Sequence, residues 1–158
     1  KTAFYDSLLL QLQALIEGES DLTANLANTS ALLNLALEDL NWVGFYLLKS
    51  PNELVLGPFQ GKPACLRIPV GKGVCGTAVA SGQTQRVADV HAFAGHIACD
   101  GASNSEIVLP IFAQGRVVAV LDIDSPSLDR FDAEDQAGLE RVATALEKLC
   151  WNGSRARN

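Results

Sequence analysis

Apolar residues first recur at helical spacing. Phe4, Leu8, Leu12 and Leu15 keep a three-to-four-residue beat until Gly18 breaks it, which predicts an opening helix. Leu22, Leu26, Leu33 and Leu37 form a second stripe, with Ser20 or Asp21 placed to cap its start. Both stripes fit intramolecular packing and a homodimer surface equally well. From Asn41 the texture changes to short β-forming runs. Residues 42–48 lead through Ser50-Pro51-Asn52 into 53–57, the pattern of an antiparallel hairpin. Residues 65–70 predict another strand. Gly71, Gly73 and Gly76 then introduce a short helix over 77–80, stopped by Ser81-Gly82.

Residues 85–88 predict a brief strand, and 89–105 a long functional loop containing Gly95, Asp100, Gly101, Ser103 and Asn104. A second hairpin joins 106–113 to 116–124 at Gln114-Gly115. The last helix begins at its cap Asp132, with Glu134 and Asp135 in the first turn. Its buried face is Leu139, Val142, Leu146 and Leu149 or Cys150. The order predicts one α+β domain over 1–158: a central antiparallel sheet, with two N-terminal helices and one C-terminal helix segregated against one side. Strand pairs joined by tight turns oppose a doubly wound parallel fold.

Composition narrows the function. The 158 residues suit a single domain, and 48% apolar against 19% charged residues is a globular balance. The formal net charge of −6 leaves no basic footprint for nucleic acid; Arg155 and Arg157 lie in a polar tail. No apolar run reaches the roughly 20 residues of a membrane span, and the start lacks the build of a signal peptide. Lys1 follows no initiator Met, so some leading residues are expected to be missing. A cytoplasmic protein is expected, whose four cysteines are free, catalytic or metal-bound rather than a disulfide framework.

Three cysteines, Cys65, Cys75 and Cys99, fall in glycine-rich loops or strand ends, while Cys150 sits on the apolar stripe of the last helix as a small hydrophobe. Structural zinc favours closely paired ligands, and only His96 and Cys99 are close enough to make such a pair. Gly71-Lys72-Gly73-Val74-Cys75-Gly76-Thr77 lacks the spacing of a phosphate loop, and tight-turn geometry accounts for its glycines. The acids say more. Asp122 and Asp124, two apart near a strand end, face the same side, and Val118 and Val120 share their parity. Val117, Ala119, Leu121 and Ile123 face the other side, so both faces are covered. Glu106 opens the neighbouring strand. Three acids gathered there would suit an ammonium group, and like-charge repulsion would keep a proton on one of them near neutral pH.

At these residues the chain resembles a known family. Gly57-Pro58-Phe59-Gln60-Gly61-Lys62-Pro63-Ala64-Cys65, Gly73-Val74-Cys75-Gly76, Gly95-His96-Ile97-Ala98-Cys99-Asp100, Ser105-Glu106-Ile107-Val108 and the run from Leu121 to Pro126 are similar, in order, to motifs of the free methionine-(R)-sulfoxide reductases. That family is a catalytic branch of the GAF fold. The resemblance implies that Cys99 attacks the sulfoxide, Cys65 resolves it, and Cys75 is an auxiliary cysteine. It implies substrate-binding and sulfoxide-polarising roles for Glu106, Asp122 and Asp124. Trp42 and Tyr46, on one strand face by their spacing, resemble the aromatic wall around the substrate methyl. The implied reaction passes through a cysteine sulfenic acid and an intramolecular disulfide reset by thioredoxin, with no metal or organic cofactor. Crowded by acids, Cys99 is expected to be a weakly activated thiol until substrate binds. His96 is a candidate to activate or orient it. The competing readings are a non-catalytic GAF-type ligand or redox sensor, which needs no cysteine pair, and a zinc-binding interaction domain.

Overall fold

The computed structural model describes residues 1–96 and 101–152. Six antiparallel strands form one sheet: β1 (Trp42–Ser50), β2 (Glu53–Gly61), β3 (Arg67–Pro69), β4 (Gln85–Val87), β5 (Ser105–Ala113) and β6 (Arg116–Ser125). Their order across the sheet is β3-β2-β1-β6-β5-β4, so the two predicted hairpins lie side by side through β1 and β6. Among the described residues no helix is long and apolar enough to cross a membrane.

Helices α1 (Thr2–Ile16), α2 (Leu22–Ala36) and α4 (Ala133–Leu146) cover one face. Their apolar stripes close a core on Val43, Phe45, Ile107, Leu109, Leu121 and Ile123, so the periodicity of the opening helices is used within the chain. The α1 stripe keeps Leu8 and Leu12 as predicted and shifts by one position at its two ends. Tyr5 and Ile16 are buried, whereas Phe4 and Leu15 are 40% and 44% exposed. The Tyr5 hydroxyl explains the shift at the first end, because it donates to Asp135 Oδ1 at 2.8 Å while its ring presses on Gly138. In α2 the buried face includes Thr29 and Ser30, whose hydroxyls bond back to the carbonyls of Asn25 and Leu26. Asp21 makes the cap, accepting from Ala24 N. Asp132 caps α4 in a reciprocal box with Asp135. Cys150 is buried in this core, as its stripe position predicts, and burial pushes its thiol up to about 11.

The three predicted long helices share one face as expected, and the short helix predicted over 77–80 is α3 (Gly73–Ser81), which packs on the opposite face. The helix begins earlier than its glycines suggest. Gly76 lies inside it because a Cβ there would meet the Pro69 carbonyl oxygen at 2.5 Å, so this glycine is the price of a close helix–strand approach. Register shifts also reset the strands, two of them away from the β1–β2 turn. One in β2, between the partners of Gly44 and Tyr46, absorbs Gly57-Pro58 and lets the strand run on to Gly61. The other, opposite Ile111 and Phe112, leaves Val118 as the extra residue of β6. Val118 therefore packs with the helix-covered core rather than with Val120 and the aspartates.

Candidate active site

Alternation along the two central strands builds the site. On β6, Ala119, Leu121 and Ile123 enter the helix-covered core, and Val120, Asp122 and Asp124 turn to the α3 face. The β5–β6 register sets Glu106 opposite Asp124 and Val108 opposite Asp122. Trp42 and Tyr46 project from β1 on the same side, beside Asp124 and Val120. All seven of these side chains are buried.

Trp42, Tyr46, Glu106, Asp122 and Asp124 line a small cleft of about 50 Å³. Cys75 joins them from the first turn of α3, and His96 and Ser103 close the cleft from the long loop. Of the predicted residues, Trp42, Tyr46, Cys75, Glu106, Asp122 and Asp124 are thus gathered in one place. Cys65 stands beside it: its neighbour Ala64 lines the cleft, and its carbonyl accepts from the Tyr46 hydroxyl at 2.9 Å. Cys65 is disulfide-bonded, whereas Cys75 and Cys150 are reduced. Cys99 lies outside the described residues.

The aromatic residues do more than wall the cleft. Trp42 stacks between Tyr46 and Phe59 at centroid distances of 5.9 and 5.1 Å, and its indole donates to the Lys62 carbonyl at 3.1 Å. Together with the Tyr46 hydroxyl, it fixes both ends of the segment leading to Cys65. The stack sits so close to β2 that Gly61, at φ +141°, has its missing Cβ 2.6 Å from the Trp42 ring. On the far rim, Asn41 Nδ2 donates to Ser103 Oγ at 3.0 Å, and Asn104 ties the returning chain to Ser125 and Pro126. Both margins of the cleft are anchored.

Burial sets its electrostatics. Glu106 is held well above the usual carboxyl range, first by burial and then by the negative Asp122 and Asp124. Burial also raises Asp122, although hydrogen bonds from Glu106 and Cys75 pull it back. Cys75 is raised by burial and then by Asp122 and Glu106, and Tyr46 by burial and then Asp122. His96 is lowered by burial and by the nearby His91, so it is neutral at pH 7. One Asp122 oxygen, Oδ1, is buried and accepts no hydrogen bond among the described residues. A protonated Glu106 can donate, an ionised Asp122 can accept, and the cleft invites a cationic donor. Glu106, Asp122 and Cys75 also place three potential metal ligand atoms within 4.8 Å of one another.

Sequence reasoning missed Lys72, Gly73, Val74, Ile68 and Ser103 as parts of the lining. The glycine run around Lys72 was the available signal. It marks the place where α3 starts against the β3 end, rather than only a turn.

A GAF domain model matches residues 29–148. The chain is 59% identical over 149 residues to the free methionine-R-sulfoxide reductase of Escherichia coli K12, covering 94% of this chain and 90% of that protein. Among solved structures, the free methionine-R-sulfoxide reductase of Neisseria meningitidis in complex with its substrate superposes with a TM-score of 0.92 at 48% identity, over 98% of this chain and 92% of that one. The fRMsr of Staphylococcus aureus in complex with substrate superposes at 0.87 with 57% identity, over 92% and 94% of the two chains. On identity of this order over more than nine-tenths of its length, the chain belongs to the free methionine-R-sulfoxide reductase family of GAF domain proteins.

Proposed function

We propose that this protein reduces free L-methionine-(R)-sulfoxide to L-methionine. The observation that carries the reading is a single buried cleft combining three carboxyl groups, an aromatic wall and a tethered cysteine loop. The substrate complexes of the Neisseria and Staphylococcus relatives support it. The substrate ammonium sits between Asp122 and Asp124, satisfying the Asp122 oxygen that otherwise accepts no bond. Trp42 and Tyr46 hold the thioether end.

Cys99 follows His96 and precedes Ser103, both of which line the cleft. Its thiolate attacks the sulfoxide sulfur while Glu106 delivers a proton to the oxygen. The S–O bond breaks as the protonated oxygen passes to the Cys99 sulfur, methionine leaves with its sulfur reduced by two electrons, and Cys99, oxidised by two, becomes a sulfenic acid. The Cys65 thiol condenses with it, forming a disulfide and releasing water. An external dithiol, which we assign to thioredoxin of the cytoplasm, restores both thiols. Cys75 is the auxiliary thiol. Its raised titration illustrates how the same acids would keep Cys99 protonated until an ammonium neutralises them.

Methionine release from the racemic sulfoxide with dithiothreitol tests the assignment. The expected result is consumption of only one of the two sulfoxide epimers, abolished by Cys99→Ser. Binding of the sulfoxide without turnover would favour a sensor, and equal turnover of peptide-bound sulfoxide would overturn the role given to the ammonium.

A further inference from the structure

We propose that Cys75, Glu106 and Asp122 form an inhibitory site for a thiophilic divalent cation of the Zn²⁺ class. The three residues come from α3, β5 and β6, three separate elements that converge on the cleft. Each offers one ligand atom, and the three atoms lie within 4.8 Å of one another. A second observation points to a cation independently: Asp122 is only 6% exposed, yet its Oδ1 has no hydrogen-bond donor among the described residues.

Zn–S bonds of about 2.3 Å and Zn–O bonds of about 2.0–2.2 Å bring neighbouring ligand atoms to roughly 3.5 Å. Side-chain rotation of the ligands would close the remaining gap. The sulfur makes the site selective. An all-oxygen cluster would take Ca²⁺ or Mg²⁺, whereas one thiolate with two carboxylates favours a borderline-soft ion. Binding requires the Cys75 thiol and the protonated Glu106 carboxyl to lose their protons to solvent. Three protein ligands leave a fourth position facing the cleft, open to water.

The ion would occupy the ground assigned above to the substrate ammonium. That overlap rests on the proposed function, whereas the metal site itself does not. Metal and sulfoxide would therefore exclude one another, and excess Zn²⁺ would silence the enzyme while shielding Cys75.

The test uses full-length protein carrying Cys65→Ser and Cys99→Ser, so that those thiols cannot contribute, reduced with a phosphine and freed of it. Titration with Zn²⁺ against a chromophoric chelator should give one ion per chain. Adding Cys75→Ser or Asp122→Asn should weaken binding beyond the roughly 10–100-fold typical of losing an outer-shell partner. Cys150→Ser should leave it unchanged. Sub-stoichiometric binding, or binding indifferent to Cys75→Ser, overturns the site. Should that variant misfold, Cd²⁺ added to the Cys65→Ser, Cys99→Ser, Cys150→Ser protein decides the matter. A thiolate-to-metal ultraviolet charge-transfer band then supports Cys75 ligation, and its absence refutes it. Free methionine sulfoxide should raise the apparent Kd for Zn²⁺. Tight Zn²⁺ binding that sulfoxide does not disturb would leave the metal site standing and remove its overlap with the ammonium position.

Discussion

Acids cluster in two regions of this molecule, under opposite fields. At the start of α4, Lys1 Nζ contacts Asp132 and Asp135 at 2.8 and 2.7 Å, and Arg130 stands 3.5 Å from Asp135. The Lys1 ammonium, with the capping bond from the Asp135 amide, holds Asp132 below the usual carboxylate range. On the α3 face, Glu106 and Asp122 form no ion pair among the described residues, and burial drives both upward. The first cluster closes the domain by joining the N-terminal helix to the last one. The second destabilises the domain wherever Glu106 must ionise, and it sets aside a proton and an anionic pocket for chemistry. The same residue type serves stability in one place and costs it in the other, according to whether a cation was supplied by the fold or left for a ligand.

The largest expected effect comes from removing the proton donor. Glu106→Gln should lower kcat for methionine formation by about 10²–10⁴-fold, the range for loss of a general acid. The same variant should melt no lower than the parent, because it removes a carboxyl that is costly to ionise. A variant that lost both activity and stability would show that Glu106 is structural, and the contrast between the two clusters would collapse.

Second, Leu121→Ala tests the other side of the same strand. Leu121 is fully buried between Phe45-bearing β1 and Leu109-bearing β5, so truncation should cost about 2–5 kcal/mol in chemical denaturation. Activity per folded molecule should change little. Beyond the bulge at Val118 the strand would then divide cleanly: odd positions hold the fold and even positions face the site.

That division was legible in the sequence, since period-two alternation put Asp122 and Asp124 on one side and Leu121 and Ile123 on the other. So were both hairpins, and the Asp132 cap. Features that depended on tertiary contact were not. Tyr5 displaced Phe4 from the core through a bond to Asp135, more than a hundred residues away. The bulge at Val118 flipped one side chain without any local signal. Gly76 read as leading into the short helix rather than lying within it, because only the Pro69 carbonyl, brought close by the fold, explains a glycine inside α3. The site was readable as residue types and blurred as a lining, because Lys72 and Ser103 reach the cleft through loop placement.

Third, Tyr46→Phe keeps the aromatic wall and removes one hydroxyl. Its bond to the Cys65 carbonyl should be worth about 0.5–1.5 kcal/mol. A looser Cys65 segment should slow disulfide formation after the first turnover more than the burst of methionine release. Single-turnover quench with thiol trapping separates the two steps. An equal loss in both would assign the hydroxyl to substrate binding instead.

The smallest effects are the sharpest test, because their signs must differ. Glu106 has a native pKa above its unfolded value. Its contribution is fully present below the unfolded carboxyl value of about 4.3 and is lost as pH rises through the native one, with a slope of at most about 1.4 kcal/mol per pH unit. The stability gained by Glu106→Gln should therefore grow from acid to neutral pH. Asp132 is depressed, so its contribution is present above the usual carboxyl value of 3.8 and fades as pH falls through the native value. It is half-exposed, and its main worth is as a cap, so Asp132→Ala should cost about 1 kcal/mol at pH 7. That penalty should shrink in acid. Urea midpoints for the parent and both variants from pH 3 to 8 should diverge in opposite senses. Parallel curves would mean that the two clusters feel one common field, and that Glu106 holds no proton in reserve.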